Sequence, residues 1–183
     1  RPLHVIGHSL GIELALEALH HLPAGSISRI VSLYGASFQS RAHAALATPA
    51  GQAAEFINVT SRENDPFDFL FERLTRLQTR GDKGIGQGLD ASNAVTLQLD
   101  CAATLSHLQD MGYSIAQPQR RICHWSSYMR PGALRFYRHL LRYPERTPLS
   151  QLRIGLPNRS TPRWSRLFAL RMPPAPLPGW QQV

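Results

Sequence analysis

The stretch that decides the fold is residues 3–19, LHVIGHSLGIELALEAL. Residues 3–6 are mostly apolar and indicate a short buried strand that ends at Gly7. Residues 12–19 carry apolar side chains three and four positions apart, which predicts a helix with one buried face. A strand that passes into a helix within a few residues is typical of α/β proteins, so we expect further strands and helices to alternate after it.

Strand and helix patterns alternate up to residue 141. The predicted strands are 27–34, 56–60, 95–99 and 121–123, and the predicted helices are 42–54, 67–77, 102–111 and 132–141. Residues 80–88 are rich in glycine and predict an exposed loop. This order of elements predicts an α/β fold, with a three-layer parallel sheet that has helices on both faces.

The composition is that of a globular protein. The chain has 183 residues, 43% of them hydrophobic and 17% charged, which suffices for one domain with a core. No apolar run reaches the roughly 18 residues of a membrane-spanning helix. The net charge is +8, but the arginines are scattered and no nucleic-acid motif accompanies them, so we expect no nucleic-acid partner. Cys101 and Cys123 fit neither a disulfide scaffold nor a zinc site, and they indicate no compartment.

Residues 7–11, GHSLG, fit the pattern G-x-S-x-G between the first strand and the first helix. In that context the chain turns sharply and leaves Ser9 strained, with its hydroxyl exposed. Small residues at Gly7 and Gly11 let strand and helix approach each other closely. The Leu10 backbone amide then lies at the helix N-terminus, where it can stabilise an oxyanion. The simpler alternative is a glycine-bounded turn of any open α/β sheet.

Over residues 3–141 the chain resembles the α/β-hydrolase superfamily, on its lipase and esterase side. The resemblance implies that Ser9 is a nucleophile, followed along the chain by a triad acid and then a histidine, each on a loop after a strand. It implies hydrolysis of small carboxylic or lipid esters through an acyl-enzyme, with neither a metal nor an organic cofactor. Thioesters, amides and acyl transfer use the same constellation.

Two other functional classes remain open. One is a non-catalytic or truncated α/β-hydrolase-like protein with a binding or structural role. The other is an arginine-rich protein that binds nucleic acid or an anionic membrane. The aromatic residues at 67–71 and the loop at 125–129 belong either to the core or to an apolar acyl site.

His124 is the candidate general base. Among the eight histidines, it is the one that follows a late predicted strand and enters a loop ahead of the last predicted helix. The resemblance implies that the base occupies this place. The alternative is a loop histidine packed between Cys123 and Trp125.

Asp65 is the favoured triad acid because it follows the strong predicted strand 56–60 and precedes a proline. Residues 81–99 then form an insertion. Asp100 follows the predicted strand 95–99 and offers a simpler topology, and Asp68 and Glu63 are further alternatives. Asp65 could instead be a turn residue or a helix N-cap.

Residues 1–144 are predicted to form a partial catalytic domain, since the first strand begins almost at Arg1 and the resemblance implies earlier strands. The second oxyanion donor is then expected to precede Arg1 as well. Residues 145–183 are rich in proline and arginine and predict an irregular tail, packed in places by Trp164, Phe168 and Trp180.

Overall fold

The computed structural model describes residues 3–75, 81–158 and 161–164. Its sheet has four parallel strands, paired in the order in which they occur in the chain: β1 Leu3–His8, β2 Ile27–Leu33, β3 Glu55–Thr60 and β4 Ala94–Gln98. Parallel strands need crossover connections, and helices supply most of these here. The chain is therefore an α/β protein, as the sequence predicts.

Eight α-helices lie in the described part of the chain. They are α1 Gly11–Leu19, α2 Gln39–Leu46, α3 Pro49–Gln52, α4 Asp65–Leu74, α5 Ala102–Asp110, α6 Ser126–Met129, α7 Ala133–Arg142 and α8 Leu149–Ile154. Short 3₁₀ turns occur at Arg62–Asn64, Ile85–Gln87 and Pro144–Arg146. None of the described helices is long and apolar enough to cross a membrane.

The core has two halves, one on each face of the sheet. Ile30 and Phe56 pack with residues of α1, α2 and α3, whereas their neighbours Val31 and Ile57 pack with residues of α5, α7 and α8. Successive side chains of a strand point to opposite faces, so buried strands with apolar residues at consecutive positions need a helical layer on each side. This arrangement brings the carboxyl ends of all four strands to one edge.

Two details of the predicted topology are wrong. Residues 121–123 form no strand, and His124 instead lies in a turn between α5 and α6. Residues 81–99 are not an insertion, because β4 pairs with β3 as the fourth strand of the sheet.

Ile85, in the predicted exposed loop, is fully buried. A short segment around one isoleucine gives no periodic signal, so its burial could not be predicted from spacing.

Helix α4 buries its acidic face and exposes much of its apolar face. Asp65 and Asp68 are buried, whereas Leu70 and Leu74 are exposed. Of the two alternatives for the aromatic residues at 67–71, a place in the core does not hold for Phe67 and Phe69, which are both exposed. The buried guanidinium of Arg163 explains the burial of the acidic face, because it lies within ion-pair distance of both aspartates.

Residues after 144 contribute to the core. Leu149 and Leu152 of α8 are buried in the half that contains α7, and Arg29 of β2 donates to Leu140 O (2.7 Å) and to Thr147 Oγ1 (2.9 Å). The prediction of an irregular segment is therefore wrong for α8. Trp164 is half-buried, while Phe168 and Trp180 lie outside the described residues.

Candidate active site

The turn between β1 and α1 holds Ser9 in a left-handed backbone conformation, with φ of 53°. A residue with a side chain adopts this conformation at a cost of about 1–3 kcal/mol. The backbone around it is fixed by hydrogen bonds: Ser9 N–H donates to Leu33 O (3.1 Å), and Ser9 O accepts from Ile12 N (3.2 Å) and Ala36 N (3.1 Å). The end of β2 therefore holds the strained turn in place.

Gly7 and Gly11 differ in their need to be glycine. A Cβ atom on Gly7 would lie 3.3 Å from the carbonyl carbon and oxygen of Gly11 and from Ile12 Cα, so a side chain would push the helix away from the strand. A Cβ atom on Gly11 would meet no described atom within 4 Å. Among the described residues, the close approach of strand β1 and helix α1 therefore requires a glycine at position 7 but not at position 11.

The Ser9 side chain is partly exposed at this turn. Its hydroxyl makes no hydrogen bond to any residue of the described ranges. Leu10 follows at the N-cap of α1, with its side chain 63% exposed. The first amides of a helix have no partner within the helix, so the Leu10 N–H lies where an anionic oxygen would be stabilised.

His124 lies beside His8, the residue before the serine. The two ring centroids are 4.5 Å apart, and the Nε2–H of His8 donates to the backbone carbonyl of His124 (2.9 Å). The rings of Phe67 and Trp125 lie 4.6 Å and 5.1 Å from the ring of His124. The predicted nucleophile and base therefore share one edge of the sheet.

The hydrogen bond on the other side of the imidazole determines its tautomer. His124 Nδ1 lies 2.6 Å from Asn64 Oδ1, and an amide oxygen can only accept, so Nδ1 carries the proton. In a neutral ring, Nε2 is then the atom with the free lone pair. Burial, and secondly the charge of His8, lower the pKa of His124 from its ordinary 6.5. The ring is therefore neutral at pH 7 and can accept a proton at Nε2.

The hydrogen-bond partner of His124 Nδ1 is Asn64, where the resemblance implies a carboxylate. Asp65 lies 3.4 Å from Arg163 Nε, and Asp100 accepts hydrogen bonds from the backbone N–H of Arg62 (3.0 Å) and from its Nε. The acceptor for His124 Nδ1–H is therefore the Asn64 amide oxygen and not the carboxylate of Asp65 or Asp100. Asn64 is absent from the sequence-based candidates because a triad acid is expected to be a carboxylate. Its position after β3 is the signal that points to it.

Glu63 and Asp68, the remaining alternatives, have other partners. Glu63 is buried, forms an ion pair with Arg130 and accepts from Ser126 Oγ (2.8 Å), while its backbone oxygen accepts from Cys123 N (2.9 Å). Glu63 thus ties the turn after β3 to the loop that carries His124. Asp68 accepts from Asn64 Nδ2 (2.8 Å) and so lies behind the asparagine.

Cys101 and Cys123 are free thiols. Among the described residues, no group of three or more His, Cys, Asp and Glu side chains is arranged to hold a metal ion. No family model, no curated protein and no solved structure matches this chain.

Proposed function

We propose that this chain carries the catalytic residues of a serine hydrolase of the α/β-hydrolase type, which cleaves carboxylic esters. Ser9 is the nucleophile, His124 the general base, and Asn64 the residue that orients the base. The observation that supports this most is the pairing of two features at one sheet edge. Ser9 occupies a strained strand-to-helix turn, and the neighbouring imidazole has its Nδ1–H engaged by Asn64, which leaves Nε2 free.

The first half of the reaction forms an acyl-enzyme. His124 Nε2 takes the proton of Ser9 Oγ while the oxygen attacks the carbonyl carbon of the ester, and the carbonyl electrons move onto its oxygen. The Leu10 N–H stabilises this oxyanion. The tetrahedral intermediate then collapses, the bond to the alkoxide breaks, and the alkoxide takes the proton from His124.

The second half releases the acid. A water molecule gives its proton to His124 Nε2 and attacks the acyl carbon, and the bond to Ser9 Oγ breaks as the serine recovers the proton. Asn64 keeps Nδ1 as the protonated nitrogen throughout the cycle. A neutral amide stabilises the imidazolium less than a carboxylate does, so we expect slower turnover than a carboxylate-based triad would give.

The surroundings of the imidazole favour an apolar acyl group. Phe67 and Trp125 are 39% and 51% exposed, and both contact the His124 ring. Exposed aromatic side chains around a reactive centre provide an apolar surface for a substrate. We therefore expect butyrate esters to react faster than acetate esters.

The test is hydrolysis of p-nitrophenyl butyrate and p-nitrophenyl acetate by the full chain. Ser9→Ala should lower turnover at least about a thousand-fold while the circular dichroism spectrum is retained. Ser106→Ala, which alters an exposed serine of α5, is the matched control and should keep the parent rate. Retained turnover in Ser9→Ala would contradict the mechanism.

A non-catalytic member of the same structural type is the alternative function. Two observations favour it: Ser9 Oγ has no hydrogen-bond partner among the described residues, and an amide stands where the resemblance implies a carboxylate. A folded protein that hydrolyses neither ester, and that no serine-reactive reagent modifies, would establish this alternative.

A further inference from the structure

A second layer of polar groups lies behind the proposed base. Asn64 Oδ1 faces His124 Nδ1, and Asn64 Nδ2 donates to Asp68 Oδ1 (2.8 Å). Asn64 and Asp68 are both buried, with 2% and 6% of their surface exposed. The imidazole is therefore connected to a buried carboxylate through one amide group.

The carboxylate itself is held by a residue from the C-terminal side of the fold. Arg163 is buried, and its Nη1 lies 3.5 Å from Asp68 Oδ2, while its Nη2 lies 2.8 Å from Glu72 Oε2. Gly86 packs on the other side, where a Cβ atom would come within 2.4 Å of Asp68 Oδ2. Asp68 is thus fixed against Asn64 by groups from two distant segments.

The orientation of the Asn64 amide matters because its two ends have opposite hydrogen-bonding properties. With the oxygen toward His124, Nδ1 must carry the proton, and Nε2 is free to accept one. With the amide rotated by half a turn, its NH₂ group would donate to Nδ1, and the proton would move to Nε2. A ring of that second form cannot take the proton of Ser9.

We propose that Asp68 is a positioning residue for His124, which selects the reactive tautomer of the imidazole by fixing the orientation of the Asn64 amide. A carboxylate accepts and does not donate, so it draws the NH₂ end of the amide toward itself and leaves the oxygen for His124. Arg163 keeps Asp68 in place for this purpose. The inference deepens the proposed hydrolase function and rests on it for its catalytic meaning.

The charges around Asp68 make the selection dependent on pH. Burial, opposed by Arg163 and aided by Glu72 and Asp65, raises the pKa of Asp68 to about 7. Below that pH the carboxyl is protonated and its hydroxyl can donate, so the amide orientation is less strictly set. The reactive tautomer should therefore become more populated as the pH rises through about 7.

The direct test is ¹⁵N nuclear magnetic resonance of the full chain labelled at histidine, because the shifts of the two ring nitrogens report which one is protonated. At pH 8 the Nδ1–H form of His124 should dominate in the parent protein. Asp68→Leu removes the acceptor and should reduce the ratio of Nδ1–H to Nε2–H forms about tenfold. Asp68→Asn, whose amide can donate as well as accept, should give a ratio between those of the parent and Asp68→Leu.

Glu72→Leu is the matched control. It removes a carboxylate of the same helix that pairs with the same arginine but has no bond to Asn64, so the tautomer ratio should stay as in the parent. If Asp68→Leu does not fold, the parent protein still decides the matter through the change of its tautomer ratio between pH 6.5 and 8.5. A ratio that depends on neither pH nor Asp68 would overturn the proposal.

The outcome separates this inference from the hydrolase proposal. A tautomer ratio that responds to Asp68 in a protein without esterase activity supports the positioning role and contradicts the function proposed for Ser9. Esterase activity with an unresponsive ratio supports that function and overturns the positioning role.

Discussion

The imidazole of His8 donates a hydrogen bond to the backbone carbonyl of His124 (2.9 Å), so the residue before the proposed nucleophile holds the proposed base. The two rings lie 4.5 Å apart, and His8 also contacts the rings of Trp125 and Tyr128. The elbow and the base-bearing loop are thereby joined directly, although they are more than 100 residues apart in the chain.

The pH dependence of ester hydrolysis should follow the charge of this pair. His124 acts as a base in its neutral form, and its pKa is lowered by burial and secondly by the charge of His8. The rate should rise with pH through that lowered pKa and level off above it. His8→Phe keeps a ring but removes the group whose charge lowers this pKa, so the midpoint should move upward. A midpoint that moves downward would contradict this assignment.

Asn64→Asp places a carboxylate next to the imidazole. Because a neighbouring negative charge favours the imidazolium, the midpoint of the pH–rate profile should rise by about one pH unit. The new carboxylate also faces Asp68, so the variant should be less stable than the parent above pH 7. The double variant Asn64→Asp/Asp68→Asn exchanges the two groups and should restore stability while it keeps the raised midpoint. Urea unfolding and rate profiles of the three proteins test this.

The strain at Ser9 predicts a gain in stability when activity is lost. Ser9→Gly removes the cost of a left-handed conformation, so the free energy of unfolding should increase by about 1 kcal/mol. Ser106→Gly, in the interior of α5, should instead decrease it by about 0.5 kcal/mol. Thermal unfolding of the two variants gives opposite signs if the strain is real, and a loss of stability in both would exclude it.

The buried pair of Glu63 and Arg130 fixes the loop that carries His124. Both side chains are about as buried as the core, at 4% and 5% exposed. Arg130→Met leaves a buried carboxylate without its cation and should cost about 3–5 kcal/mol of stability. Glu63→Gln/Arg130→Met removes both charges and should recover most of that loss. Equal costs in the single and double variants, measured by urea unfolding, would show that the pairing contributes little.

The sequence predicts the fold much better than it predicts the site. The strands β1 to β3 are recognisable as short apolar runs, and the helices α1, α5 and α7 by the helical spacing of their apolar residues. The buried face of α4 is not, since it is determined by Arg163, about 90 residues further along the chain. Long-range ion pairs leave no trace in local spacing.

Long-range contacts also explain why the sequence does not predict Asn64 as the partner of His124. Asn64 and Asp65 are adjacent, and their order along the chain does not indicate which of them faces His124. The short turn Arg62–Asn64 sets that choice by directing Asp65 toward Arg163 and Asn64 toward the imidazole. The geometry of such a turn depends on long-range packing, which local sequence does not reveal. The sequence therefore predicts a carboxylate as the partner of His124, whereas the structure has the amide of Asn64 there.

The most direct test of the central claim is the site of modification by a fluorophosphonate, identified by mass spectrometry of the digested full chain. The reagent should form an adduct on the oxygen of Ser9 at pH 8, at a rate that drops at least about a hundredfold in His124→Ala. Absence of an adduct on Ser9 in the folded protein, or modification at the same rate without His124, would contradict the account.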